Sequence, residues 1–187
     1  MKNIFLFIIL TFTLSCKAQQ IYSLRPTEID LSENSYEKDT NNELQDYVGT
    51  WKGTWNNKTI FITFKKVLNK YNPNLKYYKD FLIGKFIVKD SNGNILFDNT
   101  NLLDDQAKIK GVSFRKYGDK YSLIYIDPDL CHMTGSGRIN FTDATKTKLQ
   151  WIYSQSNDWI ENECFYHGLP YSQRPEPLPS NIILTKQ

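Results

Sequence analysis

The sequence predicts an all-β domain, an antiparallel up-and-down barrel of about eight to ten strands, behind an export leader. Three observations carry this. Apolar residues alternate at period two over short stretches after residue 48. Asn-, Asp- and Gly-rich turn signals recur between those stretches. No segment beyond the leader sustains a helical period. A β-sandwich is the alternative arrangement of the same strands.

The leader occupies residues 1–15. Met1-Lys2-Asn3 is a short positive start, and residues 4–12 are apolar apart from Thr11. An apolar core of about 7–15 residues marks a secretory signal, whereas a membrane-spanning helix needs about 20. Residues 4–10 leave no polar face, which argues against a core helix. Thr13-Leu14-Ser15-Cys16 resembles a lipoprotein processing box, in which a small residue precedes the cysteine to be acylated, although Thr13 stands where that box usually has leucine. The resemblance implies cleavage after Ser15 and lipidation of Cys16; plain secretion with a cut near Ala18 is the alternative. Several acyl chains hold a protein stably on a bilayer, at about 0.8 kcal/mol per buried methylene.

Residues 16–46 are polar, without a sustained period, and read as the lipidated N-terminus and a flexible tether, with a short helix near 42–48. A single domain then spans 47–187. Strands are expected at 50–55 and 58–68, turned at Asn56-Asn57, and at 76–89 and 95–97, turned at Ser91-Asn92-Gly93-Asn94. Residues 109–117 and 121–126 meet across Gly118-Asp119. Residues 135–141 and 148–154 meet across Asp143-Ala144-Thr145, and 181–185 follow a proline-rich crossing that cannot be a central strand.

Gly49-Thr50-Trp51 resembles the Gly-x-Trp start of lipocalin-type barrels, where the tryptophan closes one end. Such barrels also set an arginine from a late strand over that ring; here the final strand offers Lys186, and Arg138 lies earlier. Over nearly its full length the chain is also similar to a family of small lipoproteins from Bacteroidota-type bacteria. The carrying features are Leu14-Ser15-Cys16-Lys17-Ala18-Gln19, Tyr47-Val48-Gly49-Thr50-Trp51-Lys52-Gly53 and Asn181-Ile182-Ile183-Leu184. That resemblance implies an envelope address and brings no catalytic residue. Acidic residues after the lipidated cysteine direct some lipoproteins of such bacteria to the cell surface. Lys17-Ala18-Gln19-Gln20 has none, so an outer-membrane site facing the periplasm is expected.

Two further cysteines remain, Cys131 and Cys164, and an even pair in an exported chain points to a disulfide. His132 and His167 stand near them, so a zinc set is the sharper alternative, and two free thiols are the third. On a strand Cys131 and His132 would point to opposite faces, so they could converge only in a loop.

The net charge of +3 falls to +2 without Lys2, too mild to argue for nucleic acid. Lys65, Lys66, Lys76, Lys79, Lys85 and Lys89 read as solvated strand faces. There is no phosphate-cradling glycine loop and no serine elbow; Gly135-Ser136-Gly137 reads as a close backbone approach. Asp104-Asp105 and Asp127-Pro128-Asp129 read as turn formers rather than paired acids or a calcium loop. The expectation is therefore a non-catalytic module without cofactor or metal, attached to the membrane through its N-terminal lipid.

Its expected ligand is small and apolar or amphipathic, held in the barrel by Trp51, Trp55, Phe64, Phe86, Tyr125 and Trp151; the other reading of these side chains is that they simply fill the interior. The alternative is an envelope protein bound through loops, with residues 157–170 and their Trp159, Phe165 and Tyr166 as the surface.

Overall fold

The computed structural model describes residues 18–25, 30–156 and 160–187; the leader and Cys16 lie outside them. Eleven strands form among the described residues: β1 (Ile21–Ser23), β2 (Tyr36–Lys38), β3 (Gly49–Trp55), β4 (Lys58–Asn72), β5 (Tyr77–Lys89), β6 (Ile95–Asp98), β7 (Ile109–Phe114), β8 (Tyr121–Asp127), β9 (Met133–Phe141), β10 (Lys148–Gln155) and β11 (Asn181–Lys186). A short 3-10 helix, Glu43–Tyr47, precedes β3.

Eight of them close a lipocalin-like barrel in the order β3-β4-β5-β7-β8-β9-β10-β11, each antiparallel to the next. Two pairings decide barrel over sandwich. The last strand returns to the first through Thr185 opposite Lys52 and Lys186 opposite Trp51, and β5 meets β7 through Ile83 opposite Lys110 and Gly84 opposite Ile109.

The turns form where the sequence places them, because their residues tolerate positive φ. Asn56 and Asn57 sit at φ 42° and 59°, Gly93 at 87° and Gly118 at 73°. Asp143 accepts bonds from the backbone N–H groups of Thr147 and Lys148 and from the Thr145 and Thr147 hydroxyls, which holds its carboxyl well below the usual range.

The 3-10 helix plugs one end of the barrel. Leu44 and Tyr47 are buried, and the Tyr47 ring stacks on Phe141 at 4.5 Å. Trp51 lies beneath, fully buried, its indole N–H donating to the Tyr47 carbonyl at 2.8 Å. Lys186 takes the place of the arginine of lipocalin-type barrels: its ammonium sits 5.3 Å from the Trp51 ring centre and donates to the Asp46 carbonyl at 3.0 Å. The other end is covered by the crossing before β11, where Leu178 is buried and Pro179 accepts from the Trp151 indole at 2.8 Å.

The segment expected as a flexible tether is not free where it is described. Strand β1 runs parallel to β2, and β2 parallel to the first residues of β5, so residues 21–23 and 36–38 extend the sheet beyond the barrel rim. Leu24 joins the core at 1% exposure. Asp80, also 1% exposed, accepts from the Tyr36 hydroxyl at 2.5 Å, the Asp39 N–H at 3.0 Å and the Asn69 N–H at 2.8 Å. Asp39 in turn caps the 3-10 helix through the Glu43 and Leu44 N–H groups and pairs with Lys66 at 2.6 Å. Lys66 and Lys79, expected on solvated faces, are thus held in buried ion pairs with Asp39 and Glu37.

Asp80→Asn would turn one of these acceptor oxygens into a donor facing a backbone N–H. It should cost about 2 kcal/mol, read as a lower urea midpoint, and should open the 30–41 segment to protease. An unchanged cleavage pattern would mean that something else docks the segment.

Candidate functional site

Strand alternation sends the six expected wall residues to the barrel interior, apart from Trp55 at the rim. Trp51, Phe64, Phe86, Tyr125 and Trp151 are each at most 1% exposed, whereas Trp55 is half-buried under the Lys58 ammonium, 5.3 Å away. The five buried side chains share one continuous core with Ile60, Ile62, Tyr121, Leu123 and Ile139. Two glycines register how full the interior is. A Cβ on Gly111 would lie closer than 3.0 Å to the Tyr121 ring, and one on Gly135 equally close to the Tyr153 ring. The Gly135-Ser136-Gly137 run is therefore a close approach between a strand and a ring. The expected wall is a packed core, because aromatic side chains from facing strands fill an eight-stranded barrel.

The concavities lie outside the barrel; one of about 480 Å³ sits at the β4–β5 hairpin end between Leu24, Leu75, Tyr77 and Val112, and three others adjoin one another over β7–β9 and the loops at the proline-crossing end. One depression of about 400 Å³ is lined by Leu102, Asp105, Lys108, Ile124, Ile126 and Asp129. A second, of about 370 Å³, continues over Ile124 and Ile126 to Ser136 and Ser154. A third, of about 580 Å³, is reached through shared Thr134 and Ser156 and ends at Cys131, Cys164 and Phe165. Together they form one trough. Its floor is apolar, with Ile124 and Ile126 at 38% and 43% exposure, and Phe165 stands at its end at 67%.

The local chemistry is built to hold the trough still. Asp127 closes β8, its carboxylate accepting from the Tyr125 hydroxyl at 2.6 Å, the Asp129 N–H at 3.0 Å and the Lys108 ammonium at 2.6 Å. Burial lowers the Lys108 pKa, but its bonds to Asp127 and Asp129 outweigh that, and the net direction is up. Burial, reinforced by the Asp127 charge and hydrogen bond, raises the Tyr125 phenol far above its ordinary value, so it stays a neutral donor. Asp127 thus forms the turn after β8, and Asp127 and Asp129 share the Lys108 ammonium.

Cys131 and Cys164 form a disulfide with Cα atoms 5.7 Å apart, so neither sulfur is a thiolate for zinc. Cys131 and His132 lie in a loop, both left-handed at φ 53° and 59°. Cys164 is 9% exposed and packs on the core, and the Tyr166 N–H donates to its sulfur at 3.3 Å. Phe165 packs against Tyr166 with ring centres 4.2 Å apart and planes inclined at 52°, and projects into solvent. Trp159 lies outside the described residues. No group of three or more His, Cys, Asp and Glu gathers around a common point among the described residues.

The chain belongs to DUF6705. The match to this family of unknown function covers residues 1–187. No curated protein and no solved structure matches the chain. The barrel, the disulfide and the outer trough therefore describe a DUF6705 member directly. Sequence reasoning singled out the disulfide, Phe165 and Tyr166 of this DUF6705 site but missed Ile124 and Ile126. Strand β8 is apolar at Leu123, Ile124, Tyr125 and Ile126 in succession, so its alternation does not say which face is inward.

Proposed function

We propose that this protein is a lipid-anchored envelope lipoprotein of Bacteroidota-type bacteria whose barrel is a non-catalytic binding module, and that it docks a partner polypeptide in the outer trough. The apolar leader ending at Ser15-Cys16 supports the anchor, and the lack of acidic residues at 17–20 supports an outer-membrane site facing the periplasm. The observation that carries the binding role is the contrast between a filled interior and an isoleucine-floored trough. A ligand cannot enter the barrel without displacing core side chains, whereas Ile124, Ile126 and Phe165 are ready to be covered.

The rim favours a partner with basic residues, because Asp105, Asp129, Glu161 and Glu163 are all exposed around the trough. A small amphipathic ligand is the second reading, favoured by the same apolar floor, and it too would lie outside the barrel.

The test places a photo-crosslinking amino acid at position 126 or 165 in the full chain, expressed with its own leader in a host that acylates exported cysteines. One discrete protein adduct is expected from both positions. Ile126→Asp should lower adduct yield from position 165 at least tenfold, while the fold's stability changes by no more than about 0.5 kcal/mol, as at other surface sites. A small mass retained in native mass spectrometry, abolished by Ile126→Asp with no protein adduct, would transfer the role to the second reading. Adducts at neither position, with no bound mass, would overturn both.

A further inference from the structure

The two ends of the barrel differ in a way the trough does not use. The β4–β5 hairpin runs past the rim, and the N-terminal segment is tied to its tip. The Gln19 side chain donates to the Asn34 carbonyl at 2.8 Å, the Tyr36 N–H donates to the Gln20 carbonyl at 2.8 Å, and the Asn34 N–H donates to the Lys76 carbonyl at 2.7 Å. Parallel register carries this alignment back along the chain, so Ala18 lies level with the hairpin tip. Cys16 lies two residues before Ala18, and two Cα–Cα steps reach at most about 7 Å. An acylated Cys16 therefore leaves the hairpin end no freedom to stand off the bilayer.

That end has the chemistry of a membrane-contacting surface. Leu68, Leu75, Ile21 and Tyr71 are exposed on it at 61%, 52%, 57% and 41%. Lys70 and Lys76 at the tip, Arg115, Lys116 and Lys120 in the β7–β8 loop and Lys146 in the β9–β10 turn are all exposed. Among the described residues the exposed acids near them are Asp30, Glu33 and Asp119, with Glu43, Asp46 and Asp143 partly exposed; Glu33 pairs with Lys76, Asp119 with Arg25 and Asp46 with Lys146. At the opposite end the exposed charged side chains among the described residues are acidic: Asp98, Asp105, Asp129, Glu161, Glu163 and Glu176. Lys58, Lys89, Lys108 and Arg174 there are only partly exposed. Strand β5 alone, at 13 residues, separates its two ends by on the order of 40 Å. A molecule polarised in this way orients on an anionic surface with its basic end down.

We propose that the barrel stands on the bilayer on its β4–β5 hairpin end, with Leu68, Tyr71 and Leu75 among the headgroups and the lysines on anionic phosphates, so that the disulfide-bonded trough faces away from the membrane. The proposal rests on the lipoprotein reading and adds to it an orientation.

Hydroxyl-radical footprinting tests it. The acylated full chain is reconstituted into vesicles of phosphatidylethanolamine with a minority of phosphatidylglycerol, and its labelling is compared with that of a Cys16→Ser chain free in solution. Labelling of Leu68, Tyr71 and Leu75 should fall several-fold on vesicles, while Phe165 stays unchanged. Lys70→Glu with Lys76→Glu should restore labelling at Tyr71 without releasing the protein from the vesicles. An acylated chain that protects Phe165 instead, or both ends equally, overturns the orientation and leaves the anchor standing. A Cys16 without acyl mass removes the anchor and the orientation with it. Concentration-dependent protection of Tyr71 in the vesicle-free chain would assign the hairpin end to a second copy instead.

Discussion

Trp51→Ala is expected to lower the unfolding free energy by about 3–5 kcal/mol, a large fraction of the 5–15 kcal/mol typical of a domain. The indole is fully buried, and its removal orphans three neighbours at once. The Tyr47 carbonyl loses its 2.8 Å donor, the Lys186 ammonium loses the ring beneath it, and Phe141 loses a ring 6.3 Å away. These three groups come from the plug helix, the closing strand and a middle strand. The loss should therefore appear as one cooperative transition at lower guanidinium, together with weaker hydrogen-exchange protection in β11. Trp51→Phe, which keeps a ring under Lys186 without the N–H, should retain most of the stability. Equal losses in the two variants would mean that the hydrogen bond, not the buried ring, carries the closure.

The second large effect is expected at the disulfide. The bond closes a loop with a sequence separation of 33, and its loss should cost about 4 kcal/mol in the chain-entropy argument. The local consequence differs from that of Trp51→Ala. Cys131 and His132 both hold left-handed backbone, a strain of order 1–3 kcal/mol each that surrounding structure must over-determine. Cys164→Ser should thus release the β8–β9 loop first and the residues 160–170 with it, while the plug end stays closed. Exchange measured by mass spectrometry after reduction should rise at these two segments before global unfolding. If Phe165 anchors a partner as proposed, the crosslinked adduct from position 165 should vanish at the same point. Global unfolding without a preceding local stage would place the bond in the core's stability instead.

Each feature of the site was legible to a different degree. The cysteine pair and the aromatics beside Cys164 stand out in the sequence because such residues are sparse and carry their own chemistry. The trough floor does not, since an isoleucine on the outer face of β8 looks the same as one on its inner face. The N-terminal strands were hidden for a related reason. Ser35, Glu37 and Asp39 alternate inward with Tyr36 and Lys38 outward, a period-two pattern in polar residues, and polar alternation carries no hydrophobic signal. Their burial depends on partners distant in the chain, such as Lys66, Lys79 and Asp80.

The sequence by itself determined the nine strands after residue 48, their turns, the cysteine pair and the up-and-down order, because each follows from local periodicity, positive-φ residues or cysteine arithmetic. Only the tertiary structure decided whether the barrel is hollow, which lysine covers Trp51, and that residues 21–23 and 36–38 join the sheet. Those outcomes depend on how much volume facing side chains occupy and on which buried charges find one another. Both are sums over residues distant in the chain, and no local pattern records them.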